Sequence, residues 1–210
     1  MRVWTFFLDH RLEILSATLD HLLLVCVAVV FAVLIGVPLG ALIVERPTLR
    51  NMALAMAGIL QTIPSLALFG FLIPIPLIGG IGRRTAIVAL VLYALLPILR
   101  NTYVGLAGID PAILEAAEAM GMSRRQILWR VRAPLSLPVI LAGIRTATVI
   151  TIGVATIAAA IGAGGLGTFI FRGVAMVNDT VILAGALPAA FLAILADSLL
   201  SWLERRLQVA

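Results

Sequence analysis

Five stretches of this chain are long enough, and free enough of charge, to cross a lipid bilayer as helices, and this restricts the fold more than any motif does. A bilayer core about 30 Å thick takes about 20 helical residues to cross. Residues 22–44 carry no charge and end at Glu45-Arg46-Pro47, which makes them the first span. Residues 51–82 are also uncharged but too long for one crossing, and Pro74, Pro76, Gly79, Gly80 and Gly82 turn the far end into a loop. The second span is then 52–73. The third, 85–103, needs Arg100 to snorkel to the interface. Residues 138–161 form a fourth that contains Arg145, and 180–203 a fifth with Asp197 near its end. The expected fold is an all-α integral membrane protein of about five transmembrane helices. Its domain is 21–203, with a loop at 104–137 and a tail at 204–210.

Composition supports a lipid solvent. Only 12% of the 210 residues are charged, against about 25% in soluble proteins. Every basic residue besides histidine is arginine, which removes the lysine-dependent phosphate loop and Schiff-base chemistry. The single cysteine, Cys26, excludes a disulfide framework and a cysteine metal site. Of the 15 arginines, ten (46, 50, 100, 124, 125, 130, 132, 145, 205 and 206) fall on one side of the expected topology and five on the other. Positive loops stay in the cytoplasm, so the 104–137 loop and the C-terminus are expected there and the N-terminus outside. Residues 1–20 mix apolar and charged groups without a small-residue cleavage site, and read as an outer interfacial helix rather than a signal peptide.

The 104–137 loop is well punctuated. Asp110 can cap a helix that begins at Pro111, and Gly121 can close it in the left-handed conformation. At 100° per residue, Ile113, Leu114, Ala117 and Met120 share one face, with Glu115 and Glu118 on the other. Ser123 and Gln126 form a capping box for a second helix, which runs to a break at Ala133-Pro134. The apolar face either rests on the protein's own membrane domain or plugs into a groove on a soluble partner.

Glu115-Ala116-Ala117, three residues, then Gly121, and after nine more Val131-Arg132-Ala133-Pro134, resembles the EAA loop of permease subunits in binding-protein-dependent ABC importers of the type I fold. The family pattern ends Ile-x-Leu-Pro; here the proline is kept while the two aliphatic positions are Val and Ala. The resemblance implies that Glu115, Ala116, Ala117, Gly121 and Pro134 belong to a coupling helix that docks on a cytoplasmic ATPase subunit. It also implies an extracytoplasmic substrate-binding protein and a second permease subunit, identical or a sister. Gly36-Val37-Pro38-Leu39-Gly40, residues 60–68 (LQTIPSLAL), 96–103 (LPILRNTY), 142–148 (AGIRTAT) and 161–167 (IGAGGLG) resemble the branch that imports glycine betaine, choline, carnitine and proline betaine. ATP and its Mg would be bound by the partner ATPase; no cofactor is expected on this chain, and nucleic acid is not an expected partner.

Polar residues inside the spans are candidates for the passage. Arg145, Thr148, Thr151 and Thr156 share one side of the fourth span. They either line a path or, for the threonines, bond their own helix carbonyls. Gln61 lies in the second span beside Thr62, Pro64 and Ser65, where the proline makes either a hinge or pathway element or a packing kink. Gly36 and Gly40 form GxxxG, which suits close packing, although Pro38 between them equally suits a kink. The GxGxxG at residues 162–167 follows a membrane helix and no strand, so it reads as a turn. Trp4, Trp129 and Trp202 fall near span ends, as interfacial anchors do.

Two other classes of function compete with import. A membrane enzyme would need a nucleophile or metal site in a span, and neither HExxH nor GxSxG occurs. A passive channel or scaffold fits the composition, but has no reason to display a capped acidic helix on a loop. An importer of another small polar solute, such as an amino acid, also fits.

Overall fold

The computed structural model of the chain describes residues 2–76 and 78–208, and every regular element among them is helical. A short α1 (Arg2–Asp9) leads to α2 (Arg11–Leu42), then α3 (Pro47–Thr62), α4 (Ser65–Leu72) and α5 (Arg83–Ala107). The loop carries α6 (Pro111–Ala119) and α7 (Arg124–Ile127). From α7 the chain continues through a π turn (Leu128–Arg132) into α8 (Ala133–Ile157) and a 3-10 turn (Ala158–Ile161) without interruption. Then come α9 (Gly167–Ala175) and α10 (Asp179–Gln208).

Four helical runs are long and apolar enough to cross a membrane: α2, α5, the 38-residue run from Arg124 to Ile161, and α10. The pair α3 and α4 qualifies only when taken together, and it is bent by 104°. The second expected span is therefore a corner. Ile63 is extended (ψ 125) and Pro64, which cannot donate, starts the next helix. Large apolar side chains stand on the outside, among them Leu34, Met56, Phe191 and Leu199, as suits a chain whose solvent is hydrocarbon.

Several boundaries differ from the sequence reading, each for a physical reason. Residues 11–20 are continuous with the first expected span, because α2 runs unbroken from Arg11 to Leu42. Two of their charges are paired with residues far along the chain: Asp20 with Arg83 at 2.6 Å and Glu13 with Arg172 at 2.9 Å. The expected break at Ala133-Pro134 is a continuous helix. The Ala133 N–H reaches back five residues to the Leu128 carbonyl, and this wider register takes up the N–H that Pro134 lacks. Beyond the expected turn at residues 162–167 the chain forms α9, whose Phe169 is buried. The expected tail at 204–210 continues α10 as far as Gln208; its last two residues, like Met1, lie outside the described residues.

The core lies where α2, α4, α5, α8, α9 and α10 meet, around Leu24, Phe69, Leu90, Leu166 and Phe169. Small residues set the spacing. A Cβ on Gly36 would sit 2.9 Å from Ile98 and one on Gly40 2.6 Å from Thr102, so GxxxG is the seam between α2 and α5 and Pro38 leaves the helix unbroken. A Cβ on Gly143 would lie 2.8 Å from the Pro97 carbonyl, and this brings α8 equally close to α5.

Candidate coupling and translocation sites

The loop helices form as their residue types dictate. The Asp110 carboxylate accepts from the Ala112 N–H at 2.9 Å, and Pro111 takes the first helical position, where no N–H is needed. At the other end Gly121 adopts φ +77, which lets the Met122 N–H reach the Ala117 carbonyl at 3.1 Å. Ser123 and Gln126 form the complete capping box that opens α7, with bonds of 2.8 and 3.4 Å.

What α6 shows to its surroundings bears directly on docking. Ala117 is buried and Leu114 half-buried, but Ile113 and Met120 are 44% and 75% exposed. Half of the apolar face thus has no cover from this chain. Glu115, Ala116, Glu118 and Gly121 are exposed as well, and so is Pro134 beyond the π turn. Arg124 of α7 lies 3.7 Å from Glu45 in the turn after α2, an exposed pair that links the loop to the first long helix.

The expected lining residues divide into those with internal partners and those with open faces. Thr148, Thr151 and Thr156 donate their hydroxyls to Ile144, Ala147 and Gly153 of their own helix, at 2.8, 2.7 and 2.7 Å. Thr151 is fully buried, whereas Thr148 and Thr156 are half-buried. Arg145 belongs to a three-charge cluster with Asp197 at 3.5 Å and Glu204 at 3.3 Å on α10. Asp197 and Asp20 lie within α10 and α2, and both are ion-paired with side chains 55% and 37% exposed. The face of α8 turned away from the rest of the chain is marked by Thr146 and Gly153, both exposed and two turns apart, and it continues to the exposed Ala160 of the 3-10 turn.

Gln61 serves the corner. Its Nε2 donates to the Tyr93 carbonyl of α5 at 2.9 Å, and the Tyr93 hydroxyl donates to the Ile63 carbonyl at the end of α3. Tyr93 and Glu204 were not visible as site residues from the sequence. For Tyr93 a signal existed: Pro97 stands four residues on, so the Tyr93 carbonyl has no helical donor and needs a side chain from elsewhere.

Comparison with known proteins agrees with this architecture. Residues 20–209 match the family described as binding-protein-dependent transport system inner membrane component. The chain is 50% identical over 188 residues to the carnitine transport permease protein OpuCD of Listeria monocytogenes, covering 89% of this chain and 83% of that one. It is 45% identical over 204 residues to the glycine betaine/carnitine/choline transport system permease protein OpuCD of Bacillus subtilis, covering 97% and 88%. Among solved structures it resembles the MetNI methionine ABC transporter in an inward-facing conformation, with a TM-score of 0.83 and 27% identity over 93% of this chain and 96% of that one. The EAA-like loop and the bundle that carries it are therefore those of a known family: the chain belongs to the inner membrane components of binding-protein-dependent transport systems, as an ABC importer permease.

Proposed function

We propose that this permease carries a small quaternary amine of the glycine betaine, choline or carnitine type, and that α6 is the handle by which a separate ATPase drives it. The relatives named for those solutes support the substrate class. The observation that carries the coupling role is the uncovered half of α6: Ile113 and Met120 stand exposed beside Glu115 on a helix capped at both ends. A rigid, partly apolar stub is what a groove on a soluble partner can hold. Glu115, Ala116 and Gly121 form its contact surface, the buried Ala117 seats it on this chain, and Pro134 closes the segment that joins it to α8.

The arginine-rich end that carries α6 faces the cytoplasm, which puts the α1 end outside. There a binding protein delivers the solute, and a second permease subunit, identical or a sister, completes the passage. ATP and Mg belong to the ATPase. Closure of that partner pushes α6, and the unbroken helix from Arg124 to Ile161 carries the push across the membrane. The passage follows the open face of α8, where Thr146 and Gly153 are exposed and Thr156 is half-buried. The test is reconstitution with candidate ATPases and binding proteins, with ATP hydrolysis measured against a panel of solutes. Stimulation by quaternary amines is expected; stimulation only by an amino acid would overturn the substrate class, and solute flux without any ATPase would overturn the coupling.

A further inference from the structure

Tyr93 is held by the α3–α4 corner at both ends of its residue. Pro97 removes the helical donor to the Tyr93 carbonyl, and Gln61 from the last turn of α3 supplies one at 2.9 Å. At the corner itself, extended Ile63 turns its carbonyl out of α3, and the buried Tyr93 hydroxyl donates to it. Each of two backbone defects, one in α5 and one between α3 and α4, is thus satisfied by the other element. α5 is also the centre of the bundle: Gly36 and Gly40 seat it against α2, and Gly143 brings α8 against the Pro97 carbonyl. The run that contains α8 begins only a few residues beyond α6.

From this geometry we infer that Gln61 and Tyr93 are positioning residues for transport, a two-bond brace that makes the α3–α4 corner move as one body with α5 and α8. Sliding α3 along α5 by one residue would break both bonds together and leave two part-buried carbonyls without those donors. The brace transmits the displacement of α8 to the corner, and neither residue touches solute. This role rests on the ATP-driven import proposed above.

The test uses the complete transporter, with ATPase and binding protein, in liposomes. Solute uptake, ATP hydrolysis and half-saturating solute concentration are measured per mole of assembled complex. Tyr93→Phe keeps the ring in the core and removes only the hydroxyl bond; Gln61→Leu removes the other. Each is expected to lower solute moved per ATP at least fivefold, with half-saturation within twofold of wild type. Pro97→Ala restores an N–H four residues beyond Tyr93 and makes the Gln61 bond dispensable for the stability of α5. In Gln61→Leu/Pro97→Ala, thermal stability is therefore expected to return while solute moved per ATP stays low. Unchanged solute per ATP in either single variant would overturn the brace. So would its recovery in the double variant, or a defect confined to half-saturation. If Gln61→Leu does not assemble, Tyr93→Phe decides alone. A wild-type complex that moved a different solute would fail the substrate class and leave this inference standing, because the comparison is made with whichever solute stimulates hydrolysis.

Discussion

The guanidinium of Arg145 lies 3.3 Å from the Glu204 carboxylate, between α8 and α10, with Asp197 3.5 Å from its Nε. The Arg145 side chain is 31% exposed and that of Glu204 only 16%. Ionised groups in such surroundings persist because they are paired.

Arg145→Gln would leave two carboxylates facing each other with no cation. A buried pair broken on one side loses about 3–5 kcal/mol and an exposed one about 0–1. This half-covered cluster should lose about 2 kcal/mol, seen as a lower unfolding midpoint of the purified complex in detergent. Adding Glu204→Gln should recover part of the loss. An Arg145→Gln complex that melts with wild type would mean the cluster is incidental.

Helix packing gives a second expectation. A methyl on Gly40 would lie 2.6 Å from Thr102, whereas one on Gly58 meets nothing within 4 Å. Gly40→Ala should destabilise by about 1–3 kcal/mol through overpacking. Gly58→Ala in α3 should be neutral or stabilise by up to about 1 kcal/mol through helix propensity. Folded yield from membranes separates the two; equal yields would contradict the α2–α5 seam.

The coupling surface can be tested without disturbing the fold. Glu115 is exposed, and the Cβ direction of Gly121 is open, so Glu115→Lys and Gly121→Asp act on a partner more than on this chain. At φ +77 a non-glycine residue costs about 1–2 kcal/mol, less for Asp. Both variants should insert at wild-type abundance and fail to co-purify with the ATPase. Transport that survives both would remove α6 from the coupling role.

The sequence was most legible where one local rule governs. Asp110, Pro111, Gly121, Ser123 and Gln126 act within a few residues of one another, and the caps they form are the ones their types specify. Apolar runs likewise marked α5 and α10 to within a few residues. Long-range pairs stayed hidden. Charges at Glu13 and Asp20 looked like a boundary because their partners, Arg172 and Arg83, are far along the chain. Pro134 looked like a stop because a π turn leaves no pattern in residue types. Gln61 read as a residue of the path or the kink, since its acceptor is a carbonyl 32 residues away.

The threonines of α8 separate packing from passage. Thr151 is fully buried, and its hydroxyl bonds only the Ala147 carbonyl, which keeps its helical N–H partner when the hydroxyl is lost. Thr151→Val therefore removes a redundant bond at nearly constant volume, and uptake should stay within about twofold of wild type. Thr156 also donates to its own helix, to Gly153, but it is only half-buried on the side where Gly153 stands exposed. Thr156→Val would give that face an apolar methyl where a polar solute passes, and the half-saturating solute concentration should rise or turnover should fall severalfold. Thr148 lies about 140° round the helix from Gly153, on the side of buried Thr151, so Thr148→Val should behave as Thr151→Val does. If Thr151→Val proved the damaging change and Thr156→Val were silent, the passage would have to run on the opposite side of α8, through what is here the packed interior.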